Sequence, residues 1–346
     1  MHLEYESITL ELKTPFRIAH GTSLARHNVL VRIDDGEHQG LGEAAPVRQH
    51  HETRAGVSDY LASLPPLGDD PFSLEDILAR LPPGSQAARA AVDIALHDLI
   101  GKKLGLPLYR LWGLDPHSAP PTSITLSIGT VEEVETWAVA AAERFSILKL
   151  KMDREHHLEM ARAVRAVTDA RLVVDANCAW TEEQAHDLIP ALAGLGVEWI
   201  EQPLPEEDIE GMRRIRKASP LPIFADEPVR TARDIPRLAG CVDGVNLKVM
   251  KAGGLRETLR MIAVARAHDL QVMLGCMVET SLGITAAAHL APLVDWADLD
   301  GNLNLVHDPF AGVGVVGQGR LLLPDGPGLG VRQRPSGAPA RAPEVQ

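Results

Sequence analysis

Leu148-Lys149-Leu150-Lys151-Met152 is the stretch that decides the fold of this 346-residue chain. Side chains along a strand alternate between two faces, so Lys149 and Lys151 share one face and the three apolar residues share the other. Two ammonium groups buried side by side require anionic partners. The stretch therefore predicts a buried strand whose polar face meets carboxylates.

The chain around this strand alternates predicted strands and helices, with strand centres recurring about every 25 residues. Eight candidate strands share this spacing: 122–129, 146–152, 171–177, 198–203, 222–228, 244–250, 271–277 and 297–303. Eight strands alternating with helices favour a closed parallel barrel, with an open doubly wound sheet as the alternative. No Gly-x-Gly-x-x-Gly follows the first strand, which weakens a dinucleotide-binding sheet.

The region before the barrel has a different order of predicted elements. Strands are predicted over 3–13, 28–33 and 40–43, with a turn at 34–36. Helices are predicted over 73–81 and 85–104. Residues 17–27, which include His20, Gly21 and Arg26, are predicted to form a mobile loop. Three prolines between residues 116 and 121 predict a boundary. The domain assignments that follow are an α+β unit over 1–118, a barrel over 119–310, a C-terminal segment over 311–331 and a disordered tail over 332–346.

Composition excludes several classes of protein. The net charge of −13 without a basic patch argues against nucleic acid and anionic membrane surfaces as partners. No run of 18 apolar residues predicts a membrane span, and no secretory signal is visible. The three widely spaced cysteines suit a reducing compartment, so a cytoplasmic location is expected.

Three acids fall at the ends of consecutive predicted strands: Asp175, Glu201 and Asp226. In a parallel barrel these ends meet at one mouth, where three carboxylates would repel each other unless a cation lay among them. Oxygen ligands suit Mg²⁺ or Mn²⁺ better than zinc. The alternative is that each acid is an ordinary solvated loop residue.

Lysines of the second and sixth strands would face each other across this mouth. Lys151 and Lys248 could then act as one base on each side of a metal-bound substrate. The alternative is that they only neutralise the acids. The eighth strand adds Asp298 and Asp300 on one face, and two nearby carboxylates suit a free ammonium group.

These motifs together resemble the muconate-lactonizing subgroup of the enolase superfamily. The motifs, in order, are Lys149-x-Lys151, Asp175-x-Asn177, Glu201-Gln202-Pro203, Asp226-Glu227-Pro228 and Lys248-x-x-Lys251-x-Gly253-Gly254. Within the subgroup, the stretch from Met277 to His289 and Asp298-Leu299-Asp300 resemble dipeptide epimerases. Members of this superfamily use a lysine or histidine base with Mg²⁺ and an enediolate.

The resemblance implies a modified (β/α)7β barrel of the TIM type, capped by an α+β domain built from the N-terminal region and the C-terminal segment. It also implies one Mg²⁺ per subunit, with Mn²⁺ as a substitute, and a homo-oligomer. The roles it implies are these: catalytic Lys151 and Lys248; metal-binding Asp175, Glu201 and Asp226; substrate-binding Lys149, Asp298, Asp300, Gly21, Cys276 and Met277; supporting Asn177, Glu227 and Lys251.

The function that the resemblance implies is epimerisation of the C-terminal residue of an L,L-dipeptide by two-base 1,1-proton transfer. Gly21 stands where the Ala-Glu epimerases of the family carry an arginine, so a neutral or hydrophobic second residue is expected at least as readily as glutamate. N-acylamino acid racemase, o-succinylbenzoate synthase and cycloisomerase remain alternatives within the subgroup. A Schiff-base aldolase using Lys248 and a non-catalytic binding protein are alternatives of other classes.

Overall fold

The computed structural model describes residues 1–18, 21–47, 50–152 and 157–335. The chain begins with an antiparallel sheet of three strands, β1 (His2–Ile18), β2 (Gly21–Asp34) and β3 (Gln39–Ala44). The predicted turn is confirmed, since Asp34 Oδ1 accepts a hydrogen bond from Gly36 N (2.7 Å).

The prediction of a loop over 17–27 is wrong for the residues of this range that the structure describes, because they belong to β1 and β2. A register shift between Glu11 and Phe16 lets the two strands resume pairing, so that Ile18 lies opposite Gly21. The hairpin is therefore longer than the hydrophobic pattern indicated. His20, which the prediction placed in this loop, lies outside the described residues.

Four helices accompany this sheet: α1 (Arg54–Ala62), α2 (Leu74–Arg80), α3 (Gln86–Leu104) and α4 (Leu108–Leu111). The predicted helices correspond to α2 and α3, whereas α1 was not predicted. Helix α3 lies directly on β3 because glycines allow a close approach. A Cβ at Gly42 would collide with the carbonyl oxygen of Ala91.

All eight predicted barrel strands are present: β4 (Ile124–Leu126), β5 (Ile147–Lys151), β6 (Arg171–Asp175), β7 (Val197–Glu201), β8 (Ile223–Ala225), β9 (Gly244–Lys248), β10 (Gln271–Gly275) and β11 (Trp296–Asp298). They are parallel and adjacent in chain order. A parallel bridge between Thr122 and Ala297 joins the first strand to the last. The sheet is therefore closed, and the open-sheet alternative is excluded.

Helices on the outside of this barrel are α5 (Val131–Ala142), α6 (His157–Val167), α7 (Glu182–Gly194), α8 (Ile209–Ala218), α9 (Val249–Ala252), α10 (Leu255–Ala267) and α11 (Ser281–Ala288). Capping boxes at Thr130 and Thr181 start α5 and α7, as predicted. Between β8 and β9 the structure has a short 3-10 helix, Pro236–Leu238, in place of an α-helix.

The C-terminal region forms two small antiparallel pairs, β12 (Phe310–Ala311) with β15 (Arg332–Gln333) and β13 (Gly314–Val316) with β14 (Arg320–Leu322). A disordered tail from residue 332 was expected, but β15 shows that ordered backbone continues past that point. Residues 336–346 lie outside the described residues.

Contacts from the C-terminal region reach the helices beside the first sheet. Leu329 N donates to Asp98 Oδ1 of α3 (2.8 Å), and Leu108 N donates to the carbonyl of Gly328 (3.1 Å). The exact domain boundaries stay a prediction. Among the described residues, no helix combines the length and apolarity that crossing a membrane requires.

Candidate active site

The carboxyl ends of the barrel strands bring the predicted charged side chains to one mouth. Strand register sets this arrangement, because Lys151 pairs with Asp175 and Asp175 pairs with Glu201 on neighbouring strands. On the other side of the barrel, Lys248 pairs with Gly275, which pairs with Asp298. Residues at the same height on parallel strands therefore converge.

The three acids predicted as metal ligands are buried in this mouth: Asp175, Glu201 and Asp226. Asn177 N donates to Asp175 Oδ1 (2.9 Å), and Asn246 Nδ2 donates to Glu201 Oε1 (2.7 Å). These bonds hold one oxygen of Asp175 and one of Glu201, and the other oxygen of each lies near the ammonium groups described below.

The pKa values of these acids reflect their crowding. Burial raises the pKa of Glu201 to about 7, and the nearby charge of Asp175 adds to this effect. Burial acts on Asp175 in the same direction, but the ammonium groups of Lys151 and Lys149 hold its pKa at about 2. Lys248 and Lys251 similarly keep the pKa of Asp226 far below its usual value against the effect of burial.

Lys149 lies between the carboxylates. Its Nζ is 2.7 Å from Glu201 Oε2, 3.2 Å from Asp175 Oδ2 and 2.7 Å from Asp298 Oδ2. Burial disfavours its charge, but these three acids together raise its pKa well above the usual value. The negative charge at the mouth is thus concentrated enough to hold a cation.

The carboxylates of the mouth suit a divalent metal ion. In the described ranges, however, no three His, Cys, Asp or Glu side chains are arranged closely enough to form a complete metal site. Glu201 Oε2 is buried and accepts no hydrogen bond of good geometry. After burial, repulsion from Asp175 and Asp226 contributes to the raised pKa of Glu201, and a cation among the three carboxylates would relieve that repulsion. All-oxygen donors suit Mg²⁺.

The two predicted catalytic lysines reach the mouth from opposite sides. Strands β5 and β9 are four strands apart in the closed ring of eight. Lys151 Nζ lies 2.5 Å from Asp175 Oδ2, and Lys248 Nζ lies 2.8 Å from Asp226 Oδ2. Burial lowers the pKa of Lys248, but Asp226 and Glu201 outweigh it and raise the pKa above its usual value. A lysine must be neutral to accept a proton, whereas this pKa shift favours the charged form of Lys248. The shift arises from the buried carboxylates next to its ammonium group.

Asp298 and Asp300, predicted to bind an amino group together, have different surroundings. Asp298 uses both oxygens, accepting from Ser123 Oγ (2.6 Å) and pairing with Lys149. Asp300 Oδ2 accepts from Thr125 N (2.6 Å). Burial and the neighbouring Asp298 raise the pKa of Asp300 to about 6. Asp300 is therefore the acid of this pair with more capacity for a further cation.

A cavity of about 830 Å³ covers these groups. Its barrel side includes Lys149, Lys151, Lys248, Asn177, Cys276, Met277, Asp298 and Asp300, and its other side is the β1–β2 hairpin with Gly21 and Arg26. The hairpin touches the barrel where Ile128 N donates to the carbonyl of Arg17 (3.2 Å). The volume suits a ligand of dipeptide size.

The three residues predicted as supports also lie at the mouth. Asn177 Nδ2 donates to Asp175 Oδ2 (3.3 Å), and Lys251 contacts the carboxylate and carbonyl of Asp226. Burial and the neighbouring Asp226 raise the pKa of Glu227 to about 8. The structure thus brings every predicted site residue to this one region.

Three polar residues of the mouth were assigned no role from the sequence. Asn246 holds Glu201, Gln202 Oε1 accepts from Asp226 N (2.9 Å), and Ser123 holds Asp298. Asn246 could have been found, because it lies two residues before Lys248 and so shares its strand face. Ser123 lies just before β4, 175 positions from Asp298 in the chain, and no sequence pattern connects them.

Family models match most of the chain. The "Enolase C-terminal domain-like" family matches residues 130–336, and the "Mandelate racemase / muconate lactonizing enzyme, N-terminal domain" family matches residues 5–113. These ranges contain the predicted site residues, whereas Ser123 and Thr125 lie between the two ranges.

Individual relatives span nearly the whole chain. The L-Ala-D/L-Glu epimerase of Bacteroides thetaiotaomicron is 41% identical over 96% of this chain and 88% of its own length. The hydrophobic dipeptide epimerase of Flavobacteria bacterium is 36% identical over 95% of this chain and 97% of its own length. A crystal structure of the dipeptide epimerase of Enterococcus faecalis, complexed with Mg and the dipeptide L-Leu-L-Tyr, has a TM-score of 0.89 and 34% identity, covering 95% of this chain and 98% of that one. By its matching domains, its barrel and its full-length relatives, this chain belongs to the enolase superfamily, in the mandelate racemase and muconate lactonizing enzyme group.

Proposed function

We propose that this protein is a Mg²⁺-dependent dipeptide epimerase, an isomerase that inverts the α-carbon of the C-terminal residue of an L,L-dipeptide. The observation that carries this proposal is the placement of Lys151 and Lys248 on opposite sides of one cavity, flanking three buried carboxylates. Inversion requires removal of a proton from one face of a carbon and delivery to the other, which two opposed amines can perform.

Asp175, Glu201 and Asp226 would hold the Mg²⁺. When bound, the ion acts as a Lewis acid on the substrate carboxylate and makes the adjacent α-proton more acidic. Asn177 and Asn246 orient two of these carboxylates through hydrogen bonds at 2.9 and 2.7 Å.

The lysines carry out the proton transfers. Lys151 takes the α-proton of one stereoisomer, and Lys248 delivers a proton to the opposite face; the roles reverse for the other stereoisomer. Lys149, whose charge the surrounding acids stabilise, offers a positive charge to the enediolate oxygens. Because it is held on three sides, Lys149 needs little reorganisation during the reaction.

Asp300 and Asp298 form the end of the cavity that recognises the amino group. The dipeptide ammonium would lie against Asp300, whose second oxygen has spare capacity, with Asp298 close by. This recognition separates a dipeptide from an N-acylamino acid, a succinylbenzoate precursor or a muconate, none of which carries a free ammonium group.

Gly21 and Arg26 from the hairpin, with Met277 and Cys276 from the barrel, surround the substrate side chains. Gly21 leaves space at the end of the hairpin, and a Cβ there would meet no atom of the described residues within 4 Å. The named relatives include epimerases of Ala-Glu and of hydrophobic dipeptides, so both acidic and apolar second residues remain candidates.

The test is incubation of the protein and Mg²⁺ with pooled L,L-dipeptides in heavy water, followed by mass spectrometry. The expected result is a gain of one deuterium at the α-carbon of the C-terminal residue, together with L,D product. Exchange confined to N-acylamino acids would favour the racemase alternative. Borohydride trapping of a carbonyl substrate on Lys248, with activity retained in chelator, would favour an aldolase.

Two further expectations accompany this function and stay predictions. The three cysteines are all unpaired, which supports a cytoplasmic location. A homo-oligomer is expected from the family resemblance, and light scattering of the purified protein tests it.

A further inference from the structure

A pair of buried carboxyl groups joins the first sheet to the barrel beside the substrate cavity. Glu43 comes from β3, and Glu279 comes from the segment between β10 and α11. Both side chains are almost completely inaccessible to solvent. Neither belongs to the metal or lysine groups described above. Since a buried carboxyl group is costly unless it is neutral or well hydrogen-bonded, the pair requires an explanation.

The two carboxyl groups are hydrogen-bonded very differently. Glu43 Oε2 accepts from Thr280 Oγ1 (2.6 Å) and Gly283 N (3.1 Å), and its Oε1 accepts from Asn28 Nδ2 (2.8 Å). These donors include the first turn of α11, where a negative charge is stabilised. Glu279 Oε1 accepts one bond, from Met277 N (2.7 Å), and its buried Oε2 has no partner among the described residues. Glu43 is therefore the better site for the charge, and Glu279 is the better site for a proton.

Gly283 shows how close the two groups come. A methyl group at this position would collide with Glu279 Oε2 and lie 3.1 Å from Glu43 Oε2, so both oxygens face the same point on α11. Burial and the adjacent Glu43 raise the pKa of Glu279 to about 8. Burial also raises the pKa of Glu43, although its hydrogen-bond donors oppose this effect. At neutral pH the pair therefore carries at least one proton, and the two groups do not repel each other as a pair of anions would.

The same network holds one wall of the substrate cavity. Glu279 binds Met277 N, and Asn28, which donates to Glu43, also donates to the carbonyl of Val278 (3.0 Å). Met277 and Val278 both line the cavity. The position of this wall therefore depends on the contact between the first sheet and the segment that carries Glu279.

We propose that Glu279, in its protonated form, is a positioning residue that fixes the Met277–Val278 wall of the substrate cavity against Glu43 and Asn28. This inference rests on the proposed epimerase function for its kinetic consequences. Loss of the Glu279 proton places two negative charges side by side, separates the segment from the sheet and weakens substrate binding.

The titratable groups that face Glu279 in the described part of the chain are Glu43 from β3, Lys248 from β9 and the Cys276 thiol from its own segment. Glu43 favours the proton on Glu279, and Lys248 opposes it with a smaller effect. If only the protonated form binds well, KM rises about tenfold between pH 7 and pH 9 while kcat changes little through this group.

The decisive variant is Glu279→Gln, measured with one dipeptide between pH 5 and pH 9. Glutamine keeps an acceptor for Met277 N and places a donor toward Glu43, as the protonated acid does. We expect its KM to match wild type at pH 7 and to stay within about twofold at pH 9. Glu279→Ala, which lacks the acceptor, should raise KM about tenfold at every pH with kcat nearly unchanged.

Thermal unfolding tests the proton independently of activity. Folded Glu279 keeps its proton up to about pH 8, whereas the unfolded chain releases it near the ordinary value, so this group makes the folded state less stable as pH rises toward 8. The melting temperature of Glu279→Gln should therefore gain on wild type between pH 5 and pH 8 and then level off. Asp308→Asn is the control, because Asp308 caps Ser281 at the same helix start without bonding Met277 or Val278.

The control should lower the melting temperature and leave the pH dependence of KM as in wild type. An equal rise of KM in wild type and Glu279→Gln, or parallel melting curves for the two, would overturn the inference. Absence of deuterium exchange in wild type with every dipeptide would instead overturn the proposed function, and the melting curves alone would then decide the state of Glu279.

Discussion

The two ends of the barrel are built from the same strands and have opposite chemistry. At the amino end, six side chains pack into an apolar floor: Ile147, Val173, Trp199, Phe224, Met273 and Trp296. At the carboxyl end, five of these six strands lead to a lysine or an acid, and β10 leads to Cys276. On β6, for example, Val173 belongs to the floor and Asp175 to the mouth, although they are two residues, about 6.6 Å, apart.

The apolar floor strengthens the electrostatic interactions among the charged groups of the mouth. Trp199 and Phe224, whose ring centroids are 4.9 Å apart, each come two residues before an acid of the mouth, Glu201 and Asp226. A closed apolar layer keeps water from reaching the carboxylates from beneath, so their charges interact strongly. Height along a strand therefore decides whether an inward-facing side chain supplies packing or chemistry.

The largest effect on activity is expected at the mouth for Lys151→Ala. Without this amine, exchange of the α-proton should fall at least about 10³-fold for one stereoisomer, because Lys151 is the base assigned to that face of the carbon and Lys149 stays charged among its three acids. Exchange is measured separately on the L,L and L,D dipeptides in heavy water. Lys217→Ala, on the exposed outer face of α8, is the control. Full epimerisation by Lys151→Ala would disprove the two-base assignment.

The next largest effect is expected for Glu201→Gln, compared with Glu198→Gln on the same strand. Loss of the buried charge should weaken Mg²⁺ binding by at least about 100-fold, since a removed ligand costs more than a removed support. Glu198 pairs with Arg171 near the amino end, so its variant should bind Mg²⁺ normally. Calorimetric titration with Mg²⁺ measures both, and equal affinities in the two variants would contradict the metal assignment.

A smaller effect is expected for Asp300→Asn at the amine end of the cavity. Losing one charge-assisted contact of about 2 kcal/mol should raise KM for a dipeptide about 30-fold with kcat little changed. Burial and Asp298 raise the pKa of Asp300 to about 6, so wild-type KM should also rise as pH falls below 6, when the carboxylate becomes protonated. The KM of Asp300→Asn should not rise in this way below pH 6. A variant whose KM still rises below pH 6 would show that another group binds the ammonium.

The smallest effect on activity is expected at the floor. Phe224→Leu should lower the free energy of unfolding by about 1–2 kcal/mol because it removes buried apolar contacts, while kcat/KM stays within about twofold. Urea unfolding and steady-state kinetics measure the two quantities. A large loss of activity without a loss of stability would show that the floor takes part in the chemistry, and the contrast between the two ends would fail.

Sequence patterns were sufficient for the barrel because each strand carries its own signal. Apolar runs at regular intervals predicted all eight strands, and the positions of Asp175, Glu201 and Asp226 at the ends of consecutive strands predicted that they meet at one mouth. The patterns were insufficient where pairing departs from regularity. The register shift between Glu11 and Phe16 extended the hairpin through residues predicted as a loop.

What the sequence by itself determined is the order of the strands, the identity of the charged residues at their ends, and hence the family and its chemistry. The tertiary structure alone decided which partners the charged residues take: Lys149 and Ser123 bind Asp298, and Glu43 binds the start of α11. The physical reason is the distance along the chain over which each kind of interaction acts. Strand and helix signals come from neighbouring residues, whereas these partners lie 149 to 237 positions apart and meet only because the barrel closes and the first sheet packs upon it.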